Sequence, residues 1–328
     1  MKKFFQRIAA GMAIGAGGSI AGVSGAAIAL VLHVYHEIID AVNNFRKKFG
    51  ESIRILLPIL IGIFIAVIIC VYVFHLAFEY CMFLLVCIFA GFLIGSFPGI
   101  TDHVKGVEIK KKHILASICG GIFVISLGLL SVLLGAGGGG VEAAFATMPV
   151  WLYFVLILVG AISAGGLTVP GLSGGLILLI LGFYRPLMDN SVNYVKEILG
   201  VGQFSGNQSW QHLPQFILMI GCFAIGCVIG VVLVSKLMVK LLNQYPHITY
   251  FAIIGFILGS IVVLFFNYDI FNYYKVWAGQ NIPNIHPLTP FYVEIPVGLV
   301  VLGISAFLSY IFVKHHRKVL EQEANQEQ

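Results

Sequence analysis

Six apolar segments, at residues 53–76, 81–98, 113–135, 213–235, 249–267 and 291–313, constrain this chain more than any other feature of its sequence. Each approaches the roughly 20 residues that a helix needs to cross a hydrocarbon core. Inside that core only helices or closed barrels satisfy their own backbone groups. No segment alternates with the period of a membrane-barrel strand, so the segments predict spanning helices. Composition agrees: 59% of the 328 residues are hydrophobic, 10% are charged and the mean hydropathy is +0.99. A soluble domain of this size would need far more charge on its surface. The chain therefore reads as an all-α polytopic membrane protein. The charged start of Met1–Ala13 is followed by no small-x-small cleavage site before the first glycine-serine break, so no cleaved leader is expected.

Two further apolar stretches, 8–40 and 150–187, are interrupted by matching motifs. Ser19-Ile20-Ala21-Gly22-Val23-Ser24-Gly25-Ala26 recurs 149 residues later as Thr168-Val169-Pro170-Gly171-Leu172-Ser173-Gly174-Gly175. Each copy has a leading hydroxyl residue, a Gly-x-Ser-Gly core and an aliphatic arm that ends in Tyr35 or Tyr184. A helix that begins at such a break presents unpaired N–H groups and the positive end of its dipole, which together suit an anion. Each stretch is too interrupted for one clean span and reads as a broken, re-entrant hairpin that enters and leaves on one side.

Charge tests that topology. With the N-terminus inside, same-side hairpins place Lys2–Arg7, Arg46–Arg54, Lys105–Lys112, Lys236–Lys240 and Lys314–Lys318 in the cytoplasm, 16 of the 19 Lys and Arg residues. Arg185, Lys196 and Lys275 fall outside, a pronounced positive-inside bias. Hairpins that crossed the membrane would weaken it. Short blocks repeat as well: Gly91–Ser96 matches Gly255–Ser260, and Leu57–Gly62 resembles Phe216–Gly221. The chain then divides into a first repeat at 1–135 and a second at 150–313 within one integral membrane domain, with a cytoplasmic tail at 314–328. Each repeat is one hairpin plus three transmembrane helices, and an odd number of crossings makes the second an inverted repeat of the first. Residues 136–148 are expected as a flexible external connection, Asp189–His212 and Asp269–Pro290 as surface caps, and Leu320–Gln328 as a frayed tail.

Pro170 to Gly174, followed by Leu178 to Tyr184, resembles the second signature of the PopT-type undecaprenyl phosphate translocases, a family long known only as a bacterial membrane domain. Ser19 to Leu30 is similar to the family's first signature. The chain departs from it at Gly18 and Ala21, where the family commonly has an acidic residue and a proline, and at His36 and Arg185, where it often has Glu. The resemblance implies a lipid-carrier flippase, not an enzyme, in the bacterial cytoplasmic membrane. Its multi-pass chain would return undecaprenyl phosphate from the outer to the inner leaflet for reuse in cell-wall polymer synthesis.

Ser24 and Ser173 lead the phosphate-binding candidates, with Gly22, Gly25, Gly171 and Gly174 beside them and Ser19 and Thr168 second. The plainer role for each serine is a helix N-cap where two tips pack closely, and the two roles are compatible. Arg185 can meet phosphate oxygens in a bidentate pair or snorkel at the interface. Glu294, His36 and Arg54 are candidates for coupling or gating, Glu294 because an acidic group at membrane depth is a functional candidate by default. Glu79 and Glu142 read as solvated.

Two other classes stay open. Paired helix N-termini serve a small anion such as chloride or phosphate equally well. The Gly-x-Ser-Gly core also resembles an intramembrane serine protease, although no histidine sits mid-span to act as its base. No cofactor is implied. The six cysteines lack the spacing of a metal site, no ATP-binding loop motif occurs, and the basic clusters follow topology and not nucleic acid. The expected partners are the polyprenyl phosphate, membrane lipids, and protons or other ions as coupling species. Oligomeric state is not readable.

Overall fold

The computed structural model describes residues 2–20, 25–32, 34–44, 47–136, 140–169, 174–198, 213–282 and 285–326. Its first half contains α1 (Lys2–Ser19), α2 (Gly25–Val31), α3 (Tyr35–Asn43), α4 (Phe49–Tyr80), α5 (Met82–Thr101) and α6 (Lys111–Ala136). A short helix, α7 (Gly140–Thr147), leads to α8 (Val150–Gly166), α9 (Gly174–Ile180), α10 (Tyr184–Ile198), α11 (Leu213–Gln244), α12 (Pro246–Leu264), α13 (Tyr268–Trp277) and α14 (Phe291–Gln326). The described residues form no strand. Among the described residues six helices are long and apolar enough to cross a membrane, and they coincide with the six apolar segments of the sequence.

α5 and α12 occupy the centre. Met82, Val86, Cys87, Ala90 and Leu93 of α5 are fully buried, as are Ile257, Ser260 and Leu264 of α12. α5 is apolar on every side, which is how a helix surrounded by other helices reads. The outer helices α4, α6, α11 and α14 carry broad exposed apolar faces, with Phe64, Ile122, Val228 and Phe307 each more than half exposed. A surface of that kind belongs in lipid, because water would make it aggregate.

Glycines set how closely the helices approach. α1 packs along α4 and α8 along α11, and the contacts correspond position for position. A Cβ on Gly62 would overlap the carbonyl oxygen of Ile8, and one on Gly226 that of Ile157. Gly11 stands in the same way against Ile59, and Gly160 against Phe223. The partner of Gly62 in the second half is thus Gly226. The sequence blocks had paired it with Gly221, whose Cβ position is open. At the centre the pairing crosses between halves: Gly91 and Gly95 of α5 meet α14 at Leu302 and Ala306, while Gly255 and Gly259 of α12 meet α6 at Ser117 and Gly121. The Ser309 hydroxyl adds a 2.9 Å hydrogen bond to the Phe92 carbonyl across the α5–α14 seam. Close backbone approach through small residues is the usual basis of helix association where lipid competes for apolar surface.

Contacts at the two ends of the bundle give the helices their directions. At one end Arg7 of α1 bonds the Arg54 carbonyl at the start of α4 and pairs with Glu37 of α3 at 3.0 Å. His113 of α6 stacks on Phe251 of α12 there, their ring centroids 4.9 Å apart. At the opposite end the Glu79 and Tyr80 carbonyls of α4 accept from the His286 and Leu288 N–H groups. His75 of α4 reaches Asp189 of α10, and Tyr194 of α10 meets Phe216 near the start of α11. α4 and α11 therefore run in opposite directions.

Three connections differ from their sequence readings. The segment 136–148 contains α7, whose Phe145 is buried in the core and edge-on to Phe183, because its apolar side fits under α10. The expected cap from Asp269 contains α13, with Asp269, Ile270, Asn272 and Tyr273 all buried. The expected tail continues α14 unbroken to Gln326. Asn267 starts α13: it is fully buried, its Oδ1 accepts from the Ile270 N–H at 3.0 Å and its Nδ2 donates to the Leu264 carbonyl at 3.1 Å. Asn267→Ala should cost about 1 kcal/mol, the usual value of a lost N-cap. Amide exchange should locate that cost as faster exchange in the first turn of α13, with α12 unchanged.

Candidate functional site

Both hairpins are built alike. In the first, α1 leads to the break and α2 leaves it; in the second, α8 leads and α9 leaves. α2 and α9 begin at Gly25 and Gly174 and are both 7 residues long. They end alike too: the Val34 N–H bonds the Ala29 carbonyl and the Phe183 N–H bonds the Leu178 carbonyl, both at 3.0 Å. In the second hairpin this is a Schellman turn with Gly182 at φ 75°, the left-handed position where glycine is favoured. Tyr35 and Tyr184 then open α3 and α10, so the aliphatic arms read from the sequence each split into a two-turn helix and a turn. Two turns carry less dipole than a full arm, and hydroxyls and side-chain charge matter correspondingly more.

Ser24 and Ser173, with Gly22 and Gly171, lie outside the described residues. Their flanks are described. The Ser19 hydroxyl donates to the Gly15 carbonyl at 2.9 Å and that of Thr168 to the Gly165 carbonyl at 2.7 Å, so each closes the last turn of its own helix. Gly25 and Gly174 lie against the first arms of their hairpins. A Cβ at Gly25 would sit 3.1 Å from the Ile14 carbonyl, and one at Gly174 would sit 3.0 Å from that of Ser163. The buried Ser163 hydroxyl donates to the Gly174 carbonyl at 2.8 Å, tying α8 to the start of α9. Sequence reading passed over Ser163, because a lone serine in an apolar helix carries no distinctive signal.

An apolar groove of about 410 Å³ runs beside the second hairpin, lined by Gly165, Gly166 and Val169 together with Met238, Ile253 and Phe256. At the mouth of the first hairpin lies a polar cleft of about 430 Å³, lined by Lys3, Gln6, Arg7 and Glu37 among others. His36 is exposed on α3, with Tyr35 edge-on to its ring, and Arg54 is exposed at the start of α4.

Arg185 is 5% exposed, so it is buried and not snorkelling at an interface. Its Nε lies 3.4 Å from Asp189 Oδ2, one helical turn further along α10. The other carboxylate oxygen, Asp189 Oδ1, is 2.6 Å from Nδ1 of His75 on α4. One carboxylate thus stands between an arginine and a histidine from two different helices. Charge held inside a membrane protein is expensive unless paired, and it marks functional positions. The i, i+4 spacing of Arg185 and Asp189 was visible in the sequence. Their closure by His75 was not, because 114 residues separate it from Asp189.

Glu294 is 1% exposed at the start of α14. The Tyr273 hydroxyl lies 3.0 and 2.9 Å from its two carboxyl oxygens. Glu79 is half-buried, and the side chain of Glu142 lies outside what is described. Among the described residues no three His, Cys, Asp or Glu side chains are grouped to hold a metal ion.

No solved structure matches the chain. A protein named polyprenyl-phosphate transporter from Staphylococcus aureus (strain NCTC 8325 / PS 47) is 27% identical over 258 residues, covering 78% of this chain and 84% of the relative. A second protein of that name, from Vibrio cholerae serotype O1 (strain ATCC 39315 / El Tor Inaba N16961), is 25% identical over 304 residues, covering 87% and 85%. Both relatives are named as transporters, not enzymes. The model of the VCA0040-like family, described as undecaprenyl phosphate translocase-like, matches residues 14–282, a span that takes in both breaks, the His75–Asp189–Arg185 cluster and five of the six spanning helices. On that match the chain belongs to the undecaprenyl phosphate translocase-like family of multi-pass membrane proteins.

Proposed function

We propose that this protein transports a polyprenyl phosphate, undecaprenyl phosphate, from the outer to the inner leaflet of the bacterial cytoplasmic membrane, returning the carrier for cell-wall polymer synthesis. Family membership across residues 14–282 is the observation that carries the reading. The halves are related by inverted symmetry, with both termini cytoplasmic. The matched contacts of α1–α4 and α8–α11 and the opposed directions of α4 and α11 support that relation. A phosphate is costly in hydrocarbon unless polar groups receive it. Ser24 and Ser173, with Gly22, Gly25, Gly171 and Gly174, receive it at the two breaks, seconded by Ser19 and Thr168, and Arg185 draws it in at the outer end. The prenyl tail stays in apolar surroundings, for which the groove beside the second hairpin is suited. Arg54 and His36 face the leaflet where the lipid leaves.

The test is leaflet-resolved transport of undecaprenyl phosphate in proteoliposomes, comparing wild type with Ser24→Ala/Ser173→Ala. Two hydroxyl hydrogen bonds of about 1 kcal/mol each predict a fall of about 30-fold and not a complete loss, because the backbone N–H groups remain. Equal rates would leave the serines as packing caps. Chloride or inorganic phosphate flux without lipid movement would give the protein to the small-anion class, and covalent labelling of Ser173 by a fluorophosphonate would give it to the serine hydrolases.

A further inference from the structure

Glu294 is 1% exposed, and the partners the structure gives it are neutral. Its carboxyl group accepts from the Tyr273 hydroxyl and lies near the Leu84 N–H and the Thr289 hydroxyl. The titratable groups that face it are Tyr273 from α13, Cys81 from the α4–α5 connection and Cys87 from α5. Lys275 of α13 is turned to Asn272 at 3.3 Å, and no Lys, Arg or His of the described residues pairs with Glu294. A carboxyl group shut from water without a cation beside it exchanges its charge with protons when the elements around it part and close.

The Tyr273 hydroxyl makes that exchange structural. It has one hydrogen and two places to put it: the carboxyl oxygens at 2.9 and 3.0 Å, or the Tyr80 carbonyl at 3.2 Å. That carbonyl ends α4, and it already accepts from the Leu288 N–H at 3.1 Å, three residues before α14. While Glu294 is ionised, the hydroxyl donates to it, since a charged acceptor makes the stronger bond. When Glu294 takes up a proton, its own O–H donates to Tyr273 Oη, and the Tyr273 hydrogen turns to the Tyr80 carbonyl. Proton uptake therefore adds one bond between α13 and the end of α4.

We propose that Glu294 and Tyr273 form a proton-binding site that couples lipid transport to a proton gradient, by switching the bond between α13 and the α4–α5 connection. This rests on the transporter reading above. The site is built where α4, α5, α13 and α14 meet, and α5 and α14 belong to the seam that joins the two halves. A proton bound there is thus placed to bias movement of one half against the other.

Two measurements test it. In purified protein, infrared difference titration should show a carboxylic acid C=O band on acidification that is absent in Glu294→Gln and displaced in Tyr273→Phe. In proteoliposomes, an imposed gradient of one pH unit should sustain an about tenfold leaflet ratio of polyprenyl phosphate at one proton per lipid. Glu294→Gln should bring that ratio to about one while still passing lipid down its own gradient. Tyr273→Phe, which keeps the carboxyl group and loses the switch, should keep the acid band and lose most of the ratio. An unchanged acid band, or a full leaflet ratio, in Glu294→Gln overturns the proton site alone. A wild type that moves no polyprenyl phosphate in either direction overturns the transporter reading and the coupling with it, and the infrared result tells the two failures apart.

Discussion

Gly226→Ala should lower the unfolding midpoint of the purified protein sharply, while Gly221→Ala on the same helix should leave it unchanged or raise it. The intrinsic helix preference is the same in both cases and favours alanine by about 1 kcal/mol. Surroundings decide the sign. At Gly221 no atom beyond its own helical turn lies within 4 Å of the new methyl group, whereas at Gly226 it would overlap the Ile157 carbonyl oxygen. That oxygen is backbone and cannot swing aside, so α8 and α11 must separate along their seam. Overpacking of this kind costs typically about 1–3 kcal/mol, and a rigid backbone neighbour puts it at the upper end. Gly62→Ala, which meets Ile8 in the same way, should behave like Gly226→Ala. Detergent-solubilised variants followed by thermal loss of monodispersity give the ranking directly, and a Gly221→Ala midpoint as low as that of Gly226→Ala would refute the seam as the cause.

Arg185→Gln is the second large effect, acting on stability and on transport together. Removing the buried Arg185 leaves Asp189, 28% exposed and so partly met by solvent, without that partner, at a cost of about 1–3 kcal/mol, below the figure for a fully buried pair. Asp189 keeps His75 at 2.6 Å, and this moderates the loss toward the lower figure. The transport effect is separate. If the Arg185 guanidinium receives the lipid phosphate, the missing charge-assisted bond is worth about 1.5–3 kcal/mol, an initial rate about 10- to 100-fold lower per folded molecule. Arg185→Lys keeps the charge but not the planar fork, so it should lie between wild type and Arg185→Gln. Rates measured well below each variant's midpoint and normalised to folded protein separate the two effects. Transport that falls only in proportion to folded protein would make Arg185 a structural ion-pair partner.

Much of the architecture could be read from periodicity and charge, since apolar length alone selects spanning helices and all six coincide with the helices observed. The helix interruptions were legible because a Gly-x-Ser-Gly motif breaks an apolar helix, and its duplication fixes a register that α2 and α9 reproduce. Tertiary burial was not legible. α13 reads as a loop because Asn, Asp and Tyr crowd it, yet Tyr273 is fully buried there, its hydroxyl satisfied by Glu294. The segment around Phe145 reads as flexible because four glycines precede it, and only the underside of α10 makes it core. Among the site residues, Glu294 stood out by type alone. Asp189 and His75 gain their meaning from each other, across a separation that no local pattern spans.

The crossed pairing of α5 with α14 and of α12 with α6 has a consequence for how the chain is made. Phe92 and Ser309, bonded across the first of these seams, are 217 residues apart. At a synthesis rate of roughly 5–20 residues per second, α5 is in the membrane about 10–45 s before its partner leaves the ribosome. Through that interval its glycine face can be covered only by lipid or by the insertion machinery. Neither half holds the partner that would complete its own central helix, so each is a fragment that waits for the other. A gene cut between α7 and α8 should yield two polypeptides that are degraded when made singly and persist when made together.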